Sequence, residues 1–212
     1  MARDVAFADR RDAGRRLAAA LAATEAAGTG TVCGIPRGGV VVAAAVAEEL
    51  GRPLRAVVAR KVGAPGHAEL AVGAVGPDGI AVLDEDLLRR VGATRAWLDG
   101  ALERARAEVA ERMEGLPGVV DAAAVAGQHI VVVDDGVATG ATAAAVGRWL
   151  AHAGAARRIL ALPVGPADTL AALQDDYDDV FALAVPKSFV AVGQWYRDFT
   201  QVTDDEVTRL LS

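Results

Sequence analysis

Four β-favouring residues, Ile130 through Val133, run directly into two adjacent acids, Asp134 and Asp135. No other stretch constrains the chain as much. Small residues follow, Gly136-Val137-Ala138-Thr139-Gly140, and then an Ala-rich run from Ala141 with the composition of a helix. A strand that leads at once into a helix belongs in an α/β layer, where it would deliver both carboxylates to the carboxyl edge of a sheet. The loop would turn its N–H groups toward one point, and the helix N-terminus would add partial positive charge there. Thr139 and Thr142 offer hydroxyl donors, and the glycines let an oxyanion approach the main chain. An anion cradle beside an acid pair suits a ligand with both a phosphate and a diol, such as a sugar phosphate. A Walker-type loop is excluded, because no Lys follows the glycines.

The rest of the chain repeats the alternation. Helix is expected over 10–27, stopped by Gly28, then a strand over 31–35, a tight loop at Pro36-Arg37-Gly38-Gly39, a helix over 40–50 and a strand over 54–59. Residues 61–79 read as loop-rich, with a small β pair formed by 71–75 and 80–83. Helices are expected over 84–90 and 94–113, the latter with an apolar stripe at Leu98, Leu102, Ala105, Val109 and Met113. Strands at 129–134, 157–162 and 179–185 then alternate with helices at 140–152 and 167–174. This order means a parallel core sheet with helices on both faces, and ligands bind such sheets at the carboxyl ends of the strands. The loops 35–39, 60–69 and 135–140 belong on that edge. One domain, 1–212, is expected, with a helical insertion at about 84–128 and a carboxyl-terminal arm over 186–212.

The apolar runs are short and Ala-rich, below the roughly 18 residues of a membrane span. Charged residues at Arg3, Asp4, Asp9, Arg10 and Arg11 occupy the place of a signal-peptide core. The single Cys33 excludes an internal disulfide framework. These features predict a cytoplasmic protein that neither crosses nor coats a membrane. The net charge of −6 argues against nucleic acid as a partner, although residues 1–61 are basic, with ten Lys/Arg against six Asp/Glu.

The 130–142 stretch resembles the phosphoribosyl-diphosphate (PRPP) signature of type I phosphoribosyltransferases: an apolar strand, two acids and a short loop ending Thr-Gly-x-Thr. The resemblance implies that Asp134 and Asp135 hold the ribose hydroxyls. It also implies that Val137, Ala138, Thr139, Gly140, Ala141 and Thr142 bind the 5′-phosphate, with Gly136 among the PRPP-binding residues. The Pro36–Gly39 loop is similar to the family's diphosphate-binding loop, where a peptide in a rare conformation often faces the diphosphate; Arg37, Gly38 and Gly39 would serve there. Arg60-Lys61 opening the glycine-rich stretch looks like the mobile catalytic loop of adenine phosphoribosyltransferases. The Ser-Tyr pair of that loop is replaced here by His67 and Glu69. Of 22 basic residues only Lys61 and Lys187 are lysines, and both fall beside candidate site loops. A compact ammonium on a flexible stem differs physically from the guanidinium that the composition otherwise prefers.

On the acceptor side, residues 185–190 resemble the purine-stacking segment of hypoxanthine phosphoribosyltransferases. Phe189, Val190, Lys187, Trp195 and Tyr196 would then form a base-binding hood. Two departures stand out: no Lys occupies the strand 159–164, and Ala138 stands where those enzymes place an acid.

The resemblance therefore implies a pentosyltransferase of nucleotide salvage, moving ribose 5-phosphate from PRPP to a nitrogenous base with release of diphosphate. Mg²⁺ would assist, with Asp134 and Asp135 as indirect ligands, and the catalytic group would be Lys61, Arg37, Asp134 and Asp135. The competing expectation is a PRPP- or nucleotide-sensing module of the same fold without chemistry, which the missing base at 138 favours. A sugar-phosphate hydrolase would need a nucleophile or base aimed at the phosphate, and the sequence offers none. A homodimer is expected on general frequency.

Overall fold

The computed structural model describes residues 7–24 and 30–212, apart from the side chains of residues 68 and 69. The expected stop at Gly28 and the side chain of Glu69 lie outside the described residues.

Five parallel strands form the core sheet: β1 (Thr31–Gly34), β2 (Leu54–Ala56), β6 (His129–Val133), β7 (Arg157–Val164) and β8 (Asp179–Ala184), in the order β2-β1-β6-β7-β8. The period-2 alternation of strand side chains divides β6 between two cores. Val131 and Val133 pack with Leu17 and Leu21 of α1 (Arg10–Ala22) and Val42 and Val46 of α2 (Gly38–Leu50). Ile130 and Val132 face the opposite side and pack with Val146, Trp149 and Leu150 of α6 (Ala141–His152) and Leu173 of α7 (Ala167–Leu173). Both faces are covered, so the strands read as continuous apolar runs.

The loop-rich stretch 61–79 is instead mostly sheet. β3 (Arg60–Ala64), β4 (His67–Val75) and β5 (Ala81–Leu83) form an antiparallel three-stranded sheet. Sequence reasoning found the second pair and missed β3. The glycines are responsible: Gly63 sits at a register shift against β4, and a Cβ on Gly73 would meet the Val82 carbonyl oxygen at 2.6 Å. They permit bulges and close strand approach, where composition alone suggests a flexible loop.

The expected insertion, 84–128, contains α3 (Glu85–Arg90), α4 (Arg95–Met113) and α5 (Ala122–Val125). The α4 stripe of Leu102, Ala105 and Val109, flanked by Leu98 and Met113, packs on Val62, Val72 and Val75 of the small sheet, so it is consumed within the chain. This small sheet is also tied to α6. The Nε1 of fully buried Trp149 donates to Asp78 Oδ1 at 3.1 Å, on the turn between β4 and β5.

The carboxyl-terminal arm forms a 3-10 turn (Val192–Trp195) and α8 (Asp204–Leu211). Val207 and Leu211 of α8 pack on Val40, Val41 and Ala56. Within the arm, Tyr196 pairs with Phe7 near the other end of the described chain. No helix among the described residues is long and apolar enough to cross a membrane.

Candidate active site

The carboxyl ends of β1 and β6 lie side by side, since Gly34 pairs with Val133. Each is followed by a helix, so the N-termini of α2 and α6 both open on the acid pair. A cavity of about 190 Å³ lies there, lined by Pro36, Arg37, Gly38, Val57 to Ala59, Arg112, Asp134, Asp135 and Thr142. The strand expected over 54–59 ends at Ala56, and its last three residues form this wall.

Helix capping differs around this cavity. The helices α1, α3, α4, α5 and α8 each begin with an Asp or Thr side chain that accepts a first-turn N–H. Neither α2, which starts after Arg37, nor α6, which starts after Gly140, has a side-chain cap. Helix α7, behind Pro166, is also uncapped. Val40 N–H donates to the Arg37 carbonyl, while the N–H groups of Gly38 and Gly39 in α2 and of the first turn of α6 have no side-chain cap beside the cavity. Gly140 holds φ +70°, a left-handed conformation that few side chains adopt, and it aims the loop into α6.

Gly38 and Gly39 lie inside the first turn of α2, not in a loop before it. Their absent side chains let the helix start touch the acids. A Cβ on Gly38 would fall 1.9 Å from Asp135 Oδ2, and one on Gly39 would fall 2.8 Å from Asp134 Cα. The peptide joining Pro36 to Arg37 is cis.

The two carboxylates have different surroundings. Asp134 accepts the backbone N–H of Asp135 at 2.8 Å. Burial raises its pKa well above the usual carboxylate range, and the neighbouring Asp135 charge adds to this; Arg10 and Arg112 oppose it. Asp135 is also pushed up by burial, offset by Arg10, whose Nε donates to its Oδ2 at 2.8 Å. The same guanidinium donates to the Thr200 carbonyl at 2.9 Å and lies 3.8 Å from the Phe199 ring centroid. Sequence reasoning missed Arg10 because the contact spans 125 positions.

The remaining candidates divide. Thr142 lines the cavity and also an adjoining cleft of about 370 Å³ shared with Arg60, Lys61 and Gly63. Lys61 is therefore near the first turn of α6, on a strand paired with Ala74 and not on a free loop. Arg60 is ion-paired with Glu108, and Arg37 stands 3.7 Å from Asp204. His67 opens β4 and lines none of these clefts. Val137 donates to the Val164 carbonyl and is buried, whereas Ala138 and Thr139 are exposed.

The hood residues do not line the cavity. Tyr196 is buried against Phe7, and its hydroxyl donates to the Asp135 carbonyl at 2.5 Å, so it anchors the acid turn and offers no face to a base. Phe189 and Trp195 stack on each other with centroids 6.5 Å apart, while Val190 and Lys187 are exposed.

A parallel sheet covered by helices on both faces, with an acid pair and two uncapped helix N-termini at one edge, is an α/β architecture with its cavity at the carboxyl ends of the strands. Over residues 8–200 the chain matches the phosphoribosyl transferase domain family, and it belongs to that family. Two Mycobacterium tuberculosis proteins, from strains CDC 1551 and H37Rv, carry provisional names as phosphoribosyl transferases. Each is 44% identical over 97% of this chain, which covers 46% of their length, so the chain spans about half of those relatives. A crystal structure of TT1426 from Thermus thermophilus is similar at 43% identity, with a TM-score of 0.86 and 97% of both chains covered.

Proposed function

We propose that the chain binds PRPP and transfers ribose 5-phosphate to a nitrogenous base, releasing diphosphate. The observation that carries this reading is the pair of uncapped helix N-termini, α2 and α6, flanking two carboxylates in one cavity. One open helix end suits the 5′-phosphate, the other suits the diphosphate, and the acids between them suit the ribose diol. The 5′-phosphate would sit on residues 137–142. Asp134 and Asp135 would accept from the 2′- and 3′-hydroxyls through the oxygens not engaged by Asp135 N–H and Arg10. Arg37 and Lys61 would meet the diphosphate.

In the reaction the bond from C1 to the diphosphate oxygen breaks and a bond to the acceptor nitrogen forms, with oxocarbenium character at C1 between them. No cluster of three His, Cys, Asp or Glu that could hold a metal occurs among the described residues. Two adjacent carboxylates fit a Mg²⁺ bound chiefly by substrate oxygens and water, which would neutralise charge on the leaving diphosphate. Ala138 can accept no proton, so the acceptor must present a nitrogen lone pair without help from that position. The hood rim, where half-buried Phe189 stacks on Trp195 beside exposed Val190, would be the acceptor side of this reading. A homodimer would have to use a surface other than the α4 stripe.

Ala138 also favours a second reading, in which the module senses PRPP without turning it over. A Mg²⁺-dependent diphosphate-release assay with PRPP and a panel of bases separates the two. Release that depends on one base supports transfer. Saturable PRPP binding with no release under any base assigns sensing, and absence of PRPP binding removes both.

A further inference from the structure

The inserted helix α4 brings into the cavity a guanidinium that no PRPP-signature residue supplies. Val109 is buried against the small sheet, and Arg112, one helical turn further on, projects from the same region at the exposed end of α4. Arg112 lines the 190 Å³ cavity together with Gly38, Asp134 and Thr142. It also lines a larger cleft of about 560 Å³ that continues past Arg37 and Arg60 toward α8. Arg37 and Arg112 are the two cations common to both spaces.

The three arginines of this cleft are not equivalent. Arg60 is ion-paired with Glu108 and Arg37 with Asp204. Arg112 has no ion pair or side-chain hydrogen bond among the described residues, although Glu108, Glu111, Glu114, Asp204 and Asp205 line the same cleft. Its charge is nonetheless felt by Asp134 inside the cavity. An unpaired guanidinium over an open helix N-terminus is a ready partner for a dense anion, because its fork meets phosphate oxygens two at a time.

We propose that Arg112 grips the diphosphate of PRPP, so that the insertion completes the donor site. The position assigns it to the diphosphate and not to the 5′-phosphate. Arg112 accompanies Pro36 and Arg37, at the α2 end, in both the cavity and the larger cleft, whereas Thr142 of the 5′-phosphate turn lines the cavity and not the larger cleft. This assignment rests on the donor-site reading above. It gives α4 a binding role beyond the packing that its stripe announces.

Calorimetric titration of the wild type, Arg112→Ala and Arg112→Lys with Mg²⁺-PRPP, inorganic diphosphate and ribose 5-phosphate tests it. Arg112→Ala should lose on the order of 10–100-fold in affinity for PRPP and diphosphate, the scale of one charge-assisted contact. Affinity for ribose 5-phosphate, which lacks the diphosphate, should be unchanged, and Arg112→Lys should recover part of the loss. Wild-type PRPP affinity in Arg112→Ala overturns the assignment, as does an equal loss for ribose 5-phosphate. A wild type that binds ribose 5-phosphate and PRPP equally well also overturns it. A wild type that binds none of the three ligands removes the donor-site reading itself.

Discussion

Arg10 and Asp135 form an ion pair at 2.8 Å, joining the first turn of α1 to the acid turn after β6. Both side chains are mostly shielded, with 10% and 16% of their surfaces accessible. The stack on Phe199 and the bond to the Thr200 carbonyl fasten the carboxyl-terminal arm to the same point. One of the two site acids is therefore also a structural clasp, holding segments from both ends of the described chain.

Removing one partner of a shielded pair leaves the other charge without compensation. Arg10→Met should destabilise the fold by about 2–4 kcal/mol and weaken PRPP binding, because Asp135 loses the group that orients it. Arg10→Lys should restore more of the stability than of the binding. Chemical denaturation alongside PRPP titration checks this; an Arg10→Met variant of native stability would show the clasp to be inert.

Asp134→Asn should behave oppositely. With its folded pKa raised above the ordinary value of about 3.9, native Asp134 keeps a proton that the unfolded chain has lost. Stability therefore falls as pH rises from the ordinary carboxylate range through the raised folded pKa. Asn at 134 removes that dependence and can still accept the Asp135 N–H. The variant should melt higher than wild type at neutral pH, and the difference should shrink as pH is lowered toward the ordinary carboxylate range. Its PRPP affinity should drop. Melting curves across pH that stay parallel for the two proteins would refute the sign.

The small sheet hangs on Trp149. Asp78→Ala leaves a buried indole N–H without its acceptor and should cost about 1–3 kcal/mol. In Gly76→Ala the new Cβ would lie 1.9 Å from Trp149 Cδ1, so the ring or the strand must shift, and the loss should be at least as large. Urea midpoints measure both; a neutral Gly76→Ala would contradict the packing.

Lys61 stands on β3, in a cleft shared with Thr142. If the chain turns over PRPP, Lys61→Ala should lower turnover by roughly 10²–10³, the scale of one lost transition-state donor, with PRPP affinity less affected. Single-turnover rates measure the effect, and full activity in the variant would make Lys61 a strand residue only.

The strand–acid–loop–helix unit at 130–142, the parallel order and the packing stripe of α4 were legible in the sequence. Each rests on a short periodicity or on adjacent residues, and local sterics and burial enforce those without distant help. The sheet hidden in 60–83 was not legible, because glycines that allow bulges look the same as glycines that allow disorder until a partner strand lies alongside. Tyr196 read as a base platform and serves as an anchor, since only the bridge to Phe7 shows which surface the ring faces. Arg10 and Arg112 reach the acids from elements far away in the chain, and one sequence carries no record of which Arg among many is folded toward a charge. The sequence by itself determined where an acid pair and a glycine-led helix start would form; tertiary structure decided which cations surround them, because that depends on how α1 and α4 pack.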